Sequence, residues 1–479
     1  IAMTLFLELP PTPALPPQER TMSISKIPLA PGAQVAGWTV SLPPTLPEER
    51  RRIAFVVHKF PPESVGGTEI YTWGLARELA HAGHDVHIFY PTPDLLPGDE
   101  RLTREGVHLW RVPLPDSRTH EDPIRQYWHT FRDTAFEAHF QSFLAEVQPD
   151  VVHFQHVQGV SARLLELAEG YPRVVTLHDY WYFCANSQLI RPDRTPCDGP
   201  SAGCMNCVDC ATERADLNWM RGLRPLVAMP FVYRNRYLRR VAKSVDLFVA
   251  PSSFLRDQYV RHGFSAERIV VLENGLDDRK LVQRATIPLP EPPARPHFGF
   301  LGSLAWQKGV HILVEAFNRL GDNASLTIYG SEQTFPAYVE ELKKLARHPN
   351  IRFAGLLQPQ QVGAALRQMD CLVVPSLWYE NSPLVIQEAF GVGTPVIASR
   401  LGALTEKVEE GRTGRLFRAG DVAALAAVLG EIAASPGALR EMSRLIRPAP
   451  VMAEHAARLL EMYTHISVRA SVHDMKIER

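Results

Sequence analysis

Glu380 and Glu388 stand eight residues apart in VPSLWYENSPLVIQEAFGVGTPVIAS (374–399), with a predicted helix start between them. The apolar run ends at Pro375–Ser376, Asn381 or Ser382 can cap, Pro383 suits the first helical position, and a Gly-rich segment stops the helix after Glu388. The amides and dipole at such a start favour a phosphate. Carboxylates on either side accept hydrogen bonds from sugar hydroxyls. A second candidate is His178, which closes the run RVVTLHD (173–179) beside Asp179, at the end of a strand where ligands bind in open parallel sheets. A histidine with its ordinary pKa near neutrality at a strand end can serve a site or be structural, and both readings stand here.

Five of the six cysteines fall between Cys184 and Cys210. Cys204, Cys207 and Cys210 follow a C-x2-C-x2-C spacing. With Cys197, or alternatively Cys184, as fourth ligand they are a candidate structural zinc site on an insertion poor in apolar residues. Iron–sulfur ligation shares the spacing, but the Cys-Pro that usually accompanies it is missing. Unligated thiols are the competing reading, and Cys371 lies in an apolar strand as core. From Arg214 to Lys243, eight Arg or Lys are interleaved with Trp219, Met220, Phe231, Tyr233 and Tyr237. That mixture suits a solvated helix face or contact with an anionic membrane surface and a lipid-linked acceptor.

These groups need a scaffold, and the chain supplies one twice. RIAFVVH (52–58), a loop, the helical pattern TEIYTWGLARELAHAG and HDVHIFYP (84–91) make a βαβ unit. Further strands are predicted at 107–112, 150–155, 173–179, 247–252 and 269–275. The proline-rich stretch 287–296 breaks the pattern, which restarts with strands at 297–303, 325–330, 351–357, 371–376 and 394–399. The expected organisation is a proline-rich arm (1–50), an α/β domain (51–283), a linker (284–296), a second α/β domain (297–448) and a C-terminal segment (449–479) whose helix, 452–466, packs back on the first domain. Two doubly wound, Rossmann-like domains facing across a cleft are the predicted fold class.

The 479 residues carry 51 basic and 52 acidic side chains, a balance that predicts no nucleic-acid partner. Hydrophobic content of 45% supports a substantial core. No apolar run reaches the roughly 18 residues of a membrane span. Residues 1–9 lack a basic start and carry Glu8, so a cytoplasmic protein with reduced thiols is expected, with the inner face of the membrane as one place of work. A dinucleotide-dependent enzyme is disfavoured, because no G-x-G-x-x-G follows the strand at 52–58.

The 374–399 stretch resembles the E-x7-E and E-A-x-x-x-G-x-P-V elements of the retaining glycosyltransferases of family 4, matched by Glu380, Glu388, Ala389, Gly393, Pro395 and Val396. The resemblance runs from about residue 53 to 466. GSLAWQKG (302–309) is similar to the family's G-R-L-x-x-x-K-G, with Gly302 and Lys308 matching and Ser303 standing where the family has Arg. PPESVGGTE (61–69) resembles its first loop, where Gly66 and Gly67 allow close backbone approach, LENGLD (272–277) its N-G-V/I-D, with Asn274 read as shaping a turn, and VTLHDYWYFC its H-D element. His156, past a strand end, is read as lining the cleft and His153 as buried. The resemblance implies a GT-B fold and a nucleotide-sugar donor carrying UDP or GDP. It implies that Glu380 holds donor-sugar hydroxyls, Glu388 the ribose, and His178 the donor sugar. Lys308, Gly302, Ser303 and the segment Asn381, Ser382, Leu384 would meet the diphosphate, with no catalytic metal, and a hydroxyl acceptor would complete the reaction. Ser303 also keeps open an inactive homologue acting as a binding or scaffolding subunit.

Overall fold

The structure is a computed structural model that describes residues 49–61, 66–92, 98–114, 127–277, 279, 295–447 and 449–477. The proline-rich arm, up to residue 48, and linker residues 284–294 lie outside the described residues. The first sheet contains β1 (Arg52–Val56), β2 (Asp85–Thr92), β3 (Glu100–Arg104), β4 (Val107–Pro113), β5 (Val151–Phe154), β6 (Arg173–Thr176), β7 (Leu247–Ala250) and β8 (Ile269–Val271). Their spatial order is β3-β4-β2-β1-β5-β6-β7-β8. β3 pairs antiparallel with β4, and the other pairings are parallel.

The second sheet contains β9 (His297–Leu301), β10 (Ser325–Tyr329), β11 (Ile351–Gly355), β12 (Cys371–Val374), β13 (Val396–Ser399) and β14 (Gly414–Phe417), in the order β11-β10-β9-β12-β13-β14. Strand order therefore reverses between β1 and β5 in one sheet and between β9 and β12 in the other. Loops leaving neighbouring strands in opposite directions open a crevice at those two points.

Burial on both faces explains why the central strands read as unbroken apolar runs. Ala54 and Val56 of β1 pack with the helix Thr134–Val147, while Ile53 and Phe55 face the helix Gly67–His81. The two strands that the apolar pattern does not announce are β3 and β14. β3, ERLTR, is a charged, mostly exposed edge, which is how natural sheets discourage further pairing. β14 is a four-residue strand that begins on Gly-Arg.

The C-terminal helix runs from Met452 to Ile477, longer than the pattern at 452–466 suggests. Its Met452, Ala456, Leu459, Leu460 and Tyr463 share a core with Leu75 and Leu79 of the first half. Buried polar pins accompany the apolar contact. His153 Nδ1 is hydrogen-bonded to Tyr463 OH at 2.6 Å, and its Nε2 to Thr176 Oγ1 at 2.7 Å. Tyr71 OH meets His455 Nε2 at 2.7 Å, and His455 Nδ1 meets the Glu273 carbonyl at 2.8 Å. The outgoing and returning chains bond to each other, since the Leu276 amide donates to the Pro450 carbonyl (2.8 Å) and the Met452 amide to the Leu276 carbonyl (2.9 Å).

Tyr463→Phe should lower the urea midpoint with an unchanged m-value. It strands His153 Nδ1 in the core, a loss of about 1–3 kcal/mol. An unchanged midpoint would show that the pin contributes nothing.

Candidate functional site

β9 delivers the chain to the sheet edge at Leu301, and a short turn, Trp306–Lys308, leads into the helix Val310–Phe317. Gly309 between them has φ +70°, and a side chain there would run into the Pro375 carbonyl oxygen. That close approach locks the loop after β9 onto the loop after β12, where the Leu377 amide donates to the Gln307 carbonyl at 2.8 Å. As a result Lys308 Nζ donates to Glu380 Oε1 at 2.7 Å, and lies 5.3 Å from the centroid of the Trp378 ring. Ser376 Oγ and Trp378 Nε1 donate to the same oxygen, at 2.7 and 2.8 Å. Glu380 is 5% exposed, so its charge is held by a cation and two neutral donors rather than by water. With Oε1 so occupied, Oε2 remains to meet a ligand.

The helix after Glu380 spans Leu384–Gly391, with Pro383 as N-cap and no side-chain cap bond. This corrects the expectation that Asn381 or Ser382 caps and Pro383 opens the helix. The helix starts too late for Asn381, and its side chain takes another partner. Asn381 Nδ2 donates across the cleft to the His178 carbonyl at 2.6 Å. Glu388 lies partly buried in the second turn of this helix.

The opposite wall is formed by the ends of β1, β5 and β6. Gly66 caps the helix Gly67–His81 with extended backbone, and a side chain on it would press on the Glu69 carboxylate, whereas Gly67 has open space. His178 Nε2 donates to Gln155 Oε1 at 2.8 Å, and its ring stands edge-on to Tyr71 at 5.3 Å. The Gln158 amide donates to His156 Nδ1 (3.0 Å), so Nε2 carries the proton and donates to Asp179 Oδ2 at 2.9 Å. The expectation of a titration near neutrality at His178 is also corrected. Burial, with the nearby His156, pushes its pKa down to about 3, against the opposing pull of Asp179. His178 is thus a neutral hydrogen-bonding group at ordinary pH. His153 is buried, as the sequence suggests, and Asn274 is buried with its carbonyl accepting from Gln387 Nε2 at 2.9 Å.

Four buried polar atoms around His178 have no partner within the protein: His58 Nδ1, Gln155 Nε2, Asn381 Oδ1 and Ser382 Oγ. Buried donors and acceptors left so are costly, and their convergence marks a place for a polar ligand. His58 and Gln155 were not singled out in the sequence. The available signal is positional, since each stands just past the end of a strand flanking the switch point.

The six cysteines form no disulfide, and Cys184, Cys204 and Cys210 all lie near enough to Cys207 to act electrostatically on its thiol. Among the described residues, no three thiols bring their sulfurs within 4.8 Å of one another. Cys197 turns toward its own loop, where the Gly199 amide donates to its Sγ at 3.4 Å. Cys204 and Cys207 are hydrogen-bonded to each other, which with Asn235 lowers the Cys204 pKa to about 7. Asp85, His87 and His108 do converge, in a concavity of about 310 Å³ beside Arg52 at the amino ends of β2 and β4. That is the end of the sheet away from the cleft, and Arg52 Nε already donates to Asp85 Oδ2 at 3.0 Å.

Two Rossmann-like sheets whose switch points face one another define the GT-B class of fold. The sucrose-phosphate synthase of Thermosynechococcus elongatus shares it, with a TM-score of 0.60 at 18% identity over 89% of this chain and 99% of that one. So does Anabaena HepE, solved in complex with UDP and glucose, with a TM-score of 0.55 at 16% identity over 89% of this chain and 100% of that one. The profile described as glycosyl transferases group 1 matches residues 295–435, and that described as glycosyltransferase family 4 matches residues 65–280. The chain belongs to this family of glycosyltransferases. Relatives include a glycogen synthase of Mycobacterium tuberculosis, 26% identical over 83% of this chain and 89% of that protein. Another is the MMP alpha-(1->4)-mannosyltransferase of Mycolicibacterium hassiacum, 28% identical over 79% and 88%.

Burial holds His58, His153, His178 and His455 below their ordinary pKa, His455 at about 4. The unfolded chain takes up these protons near pH 6.5 and the native state only well below it, so stability is lost as pH falls through that window. Each such histidine contributes a slope of about 1.4 kcal/mol per pH unit. Urea midpoints should fall steeply from pH 7 to pH 5. A flat profile would show that these histidines charge in place.

Proposed function

We propose that this glycosyltransferase transfers a hexose, with retention and without a catalytic metal, from a UDP- or GDP-sugar to a hydroxyl of a glycan, lipid-linked or small-molecule acceptor. We place this work in polysaccharide biosynthesis, in the cytoplasm at the inner face of the membrane. The second α/β half binds the donor and the first half the acceptor. The observation that carries the reading is the Lys308–Glu380 pair at 2.7 Å, set beside a helix N-terminus and facing the unpaired polar atoms around His178. The relatives named as a glycogen synthase and a mannosyltransferase, and the UDP and glucose in HepE, support it.

In this reading Glu380 Oε2 accepts from donor-sugar hydroxyls and Glu388 from the ribose. His178, neutral, offers Nδ1 to the sugar. Lys308 and the amides of Asn381, Ser382 and Leu384, with the backbone at Gly302 and Ser303, take the diphosphate charge, so cation and dipole supply what a divalent ion supplies elsewhere. Gly66 and Gly67 admit the donor from the other wall. As the bond from the anomeric carbon to phosphate oxygen breaks, the acceptor oxygen attacks on the same face. The acceptor proton passes to the departing phosphate oxygen. No carboxylate is assigned as a covalent nucleophile.

Ser303 favours one rival, a homologue that binds without turnover. Hydrolysis of a nucleotide sugar by the purified chain separates the two readings. Thermal-shift measurement with UDP, GDP and ADP identifies the donor base, because a ligand bound by the native state raises the melting point.

Lys308→Ala should lower kcat by about 10²- to 10³-fold, since negative charge builds on the diphosphate in the transition state. A rise in KM alone would assign Lys308 to uniform binding. Glu388→Ala should weaken nucleoside diphosphate binding and leave the melting point of the free protein unchanged. Undiminished affinity would remove Glu388 from the site.

A further inference from the structure

The helix Arg224–Val241 turns an apolar stripe outward. Leu226, Met229 and Tyr233, spaced three and four residues apart, are 63%, 63% and 60% exposed. The turn before it adds Trp219 at 73% and Leu223 at 46%. Trp128, at 61%, joins the same side through a run of rings, lying 6.1 Å from Phe131, which lies 5.3 Å from Tyr233. Isolated exposed apolar residues are ordinary, but this many large ones together mark a contact surface.

The stripe changes character along its length. Beyond Tyr233 it continues as Arg236 and Arg240, with Arg239 and Lys243 beside them, all exposed. Among the described residues, neither Arg236 nor Lys243 has a carboxylate within ion-pair distance. The inner face is bolted to the cleft wall, where Arg234 donates to the Trp181 carbonyl at 2.7 Å, two residues beyond Asp179.

We infer that this face docks on an anionic bilayer surface, so that the acceptor is an amphiphile whose hydroxyl lies at headgroup level. Trp128, Trp219 and Tyr233 are the side chains that settle at a membrane–water interface, Leu223, Leu226 and Met229 enter the acyl boundary, and the arginines meet lipid phosphates. Charge distinguishes this occupant from a second copy of the chain. A copy packed on the same face would set its arginines against these arginines or against the apolar stripe. Among the described residues no single helix is long and apolar enough to cross a membrane. The inference rests on the glycosyltransferase reading for the acceptor, and on the exposed stripe for the docking.

The test is co-sedimentation of the full chain with phosphatidylcholine vesicles, with and without phosphatidylglycerol. Compared with it are Trp219→Ser/Leu226→Glu/Met229→Glu and Arg236→Glu/Arg240→Glu. The unaltered chain should partition onto the anionic vesicles, release at high salt and shift its tryptophan emission to the blue. Both variants should partition about tenfold less or worse, while keeping the melting point and the vesicle-free donor hydrolysis of the parent. Failure of the parent to bind, or equal binding by the variants, overturns the docking. So does a dimer seen by light scattering that the apolar variant splits without any vesicle binding. Vesicle binding without any nucleotide-sugar binding or turnover would instead sink the glycosyltransferase reading alone.

Discussion

A carboxylate taken out of water has to be compensated on the spot, and Glu380 is the place where this chain meets that demand. Three donors from one loop cluster, Lys308, Ser376 and Trp378, converge on a single oxygen. Removing the lysine would leave a buried charge short of its countercharge, which costs more than the pair itself contributes. The arrangement therefore fixes the loop after β12 and the turn after β9 relative to each other. The glycine whose backbone presses on Pro375 exists to let that happen. Lys308 is held by Glu380 with ammonium hydrogens to spare, so under the proposed function the cation is oriented before the donor's diphosphate arrives.

From that anchor the geometry spreads across the cleft. Asn381 follows Glu380 directly and ties the second half to the His178 carbonyl of the first. Elsewhere the Glu406 carboxylate accepts from the amides of Ser253 and Phe254 at the start of the helix Ser253–Arg261 (2.9 and 2.5 Å), as an acidic cap would. Gln387 and Lys407 both reach Glu273. These polar contacts between the halves are joined by an apolar one, Phe254 against Tyr379 at 5.0 Å, where Tyr379 packs on the edge of the first half's core.

The sequence was most readable where burial dictates residue type. Strands such as β7 and β12 are apolar on both faces, and short runs of that kind bounded by turn residues suit a buried parallel strand. β3 escaped because an exposed, charged edge looks like a loop, and β14 because four residues carry no period. Glu380, Glu388 and Lys308 were legible through their punctuation of proline and glycine. The cap was not, because cross-cleft bonding of Asn381 outweighed its local preference. Neither the depressed pKa of His178 nor the involvement of His58 and Gln155 is written in local pattern. Both arise from residues distant in sequence gathering at one switch point. The cysteine spacing suggested a metal geometry, but spacing along a chain leaves each thiol free to turn, so it does not choose between Cys184 and Cys197 as a fourth partner for Cys204, Cys207 and Cys210.

The last helix has a consequence for how the protein is made. The first half is complete in sequence by about residue 277, yet part of its core is supplied by Met452 to Tyr463. On the ribosome, roughly 175 to 185 residues separate the two, about 10 to 40 s of synthesis at ordinary rates of elongation. During that interval the apolar surface around Leu75 and Leu79 lacks its cover, and His153 and Tyr71 lack the partners that Tyr463 and His455 provide. The second half can close its own sheet on emergence, so it is the earlier-made domain that matures last. A stop codon anywhere in the second half would thus leave the first half without the last part of its core.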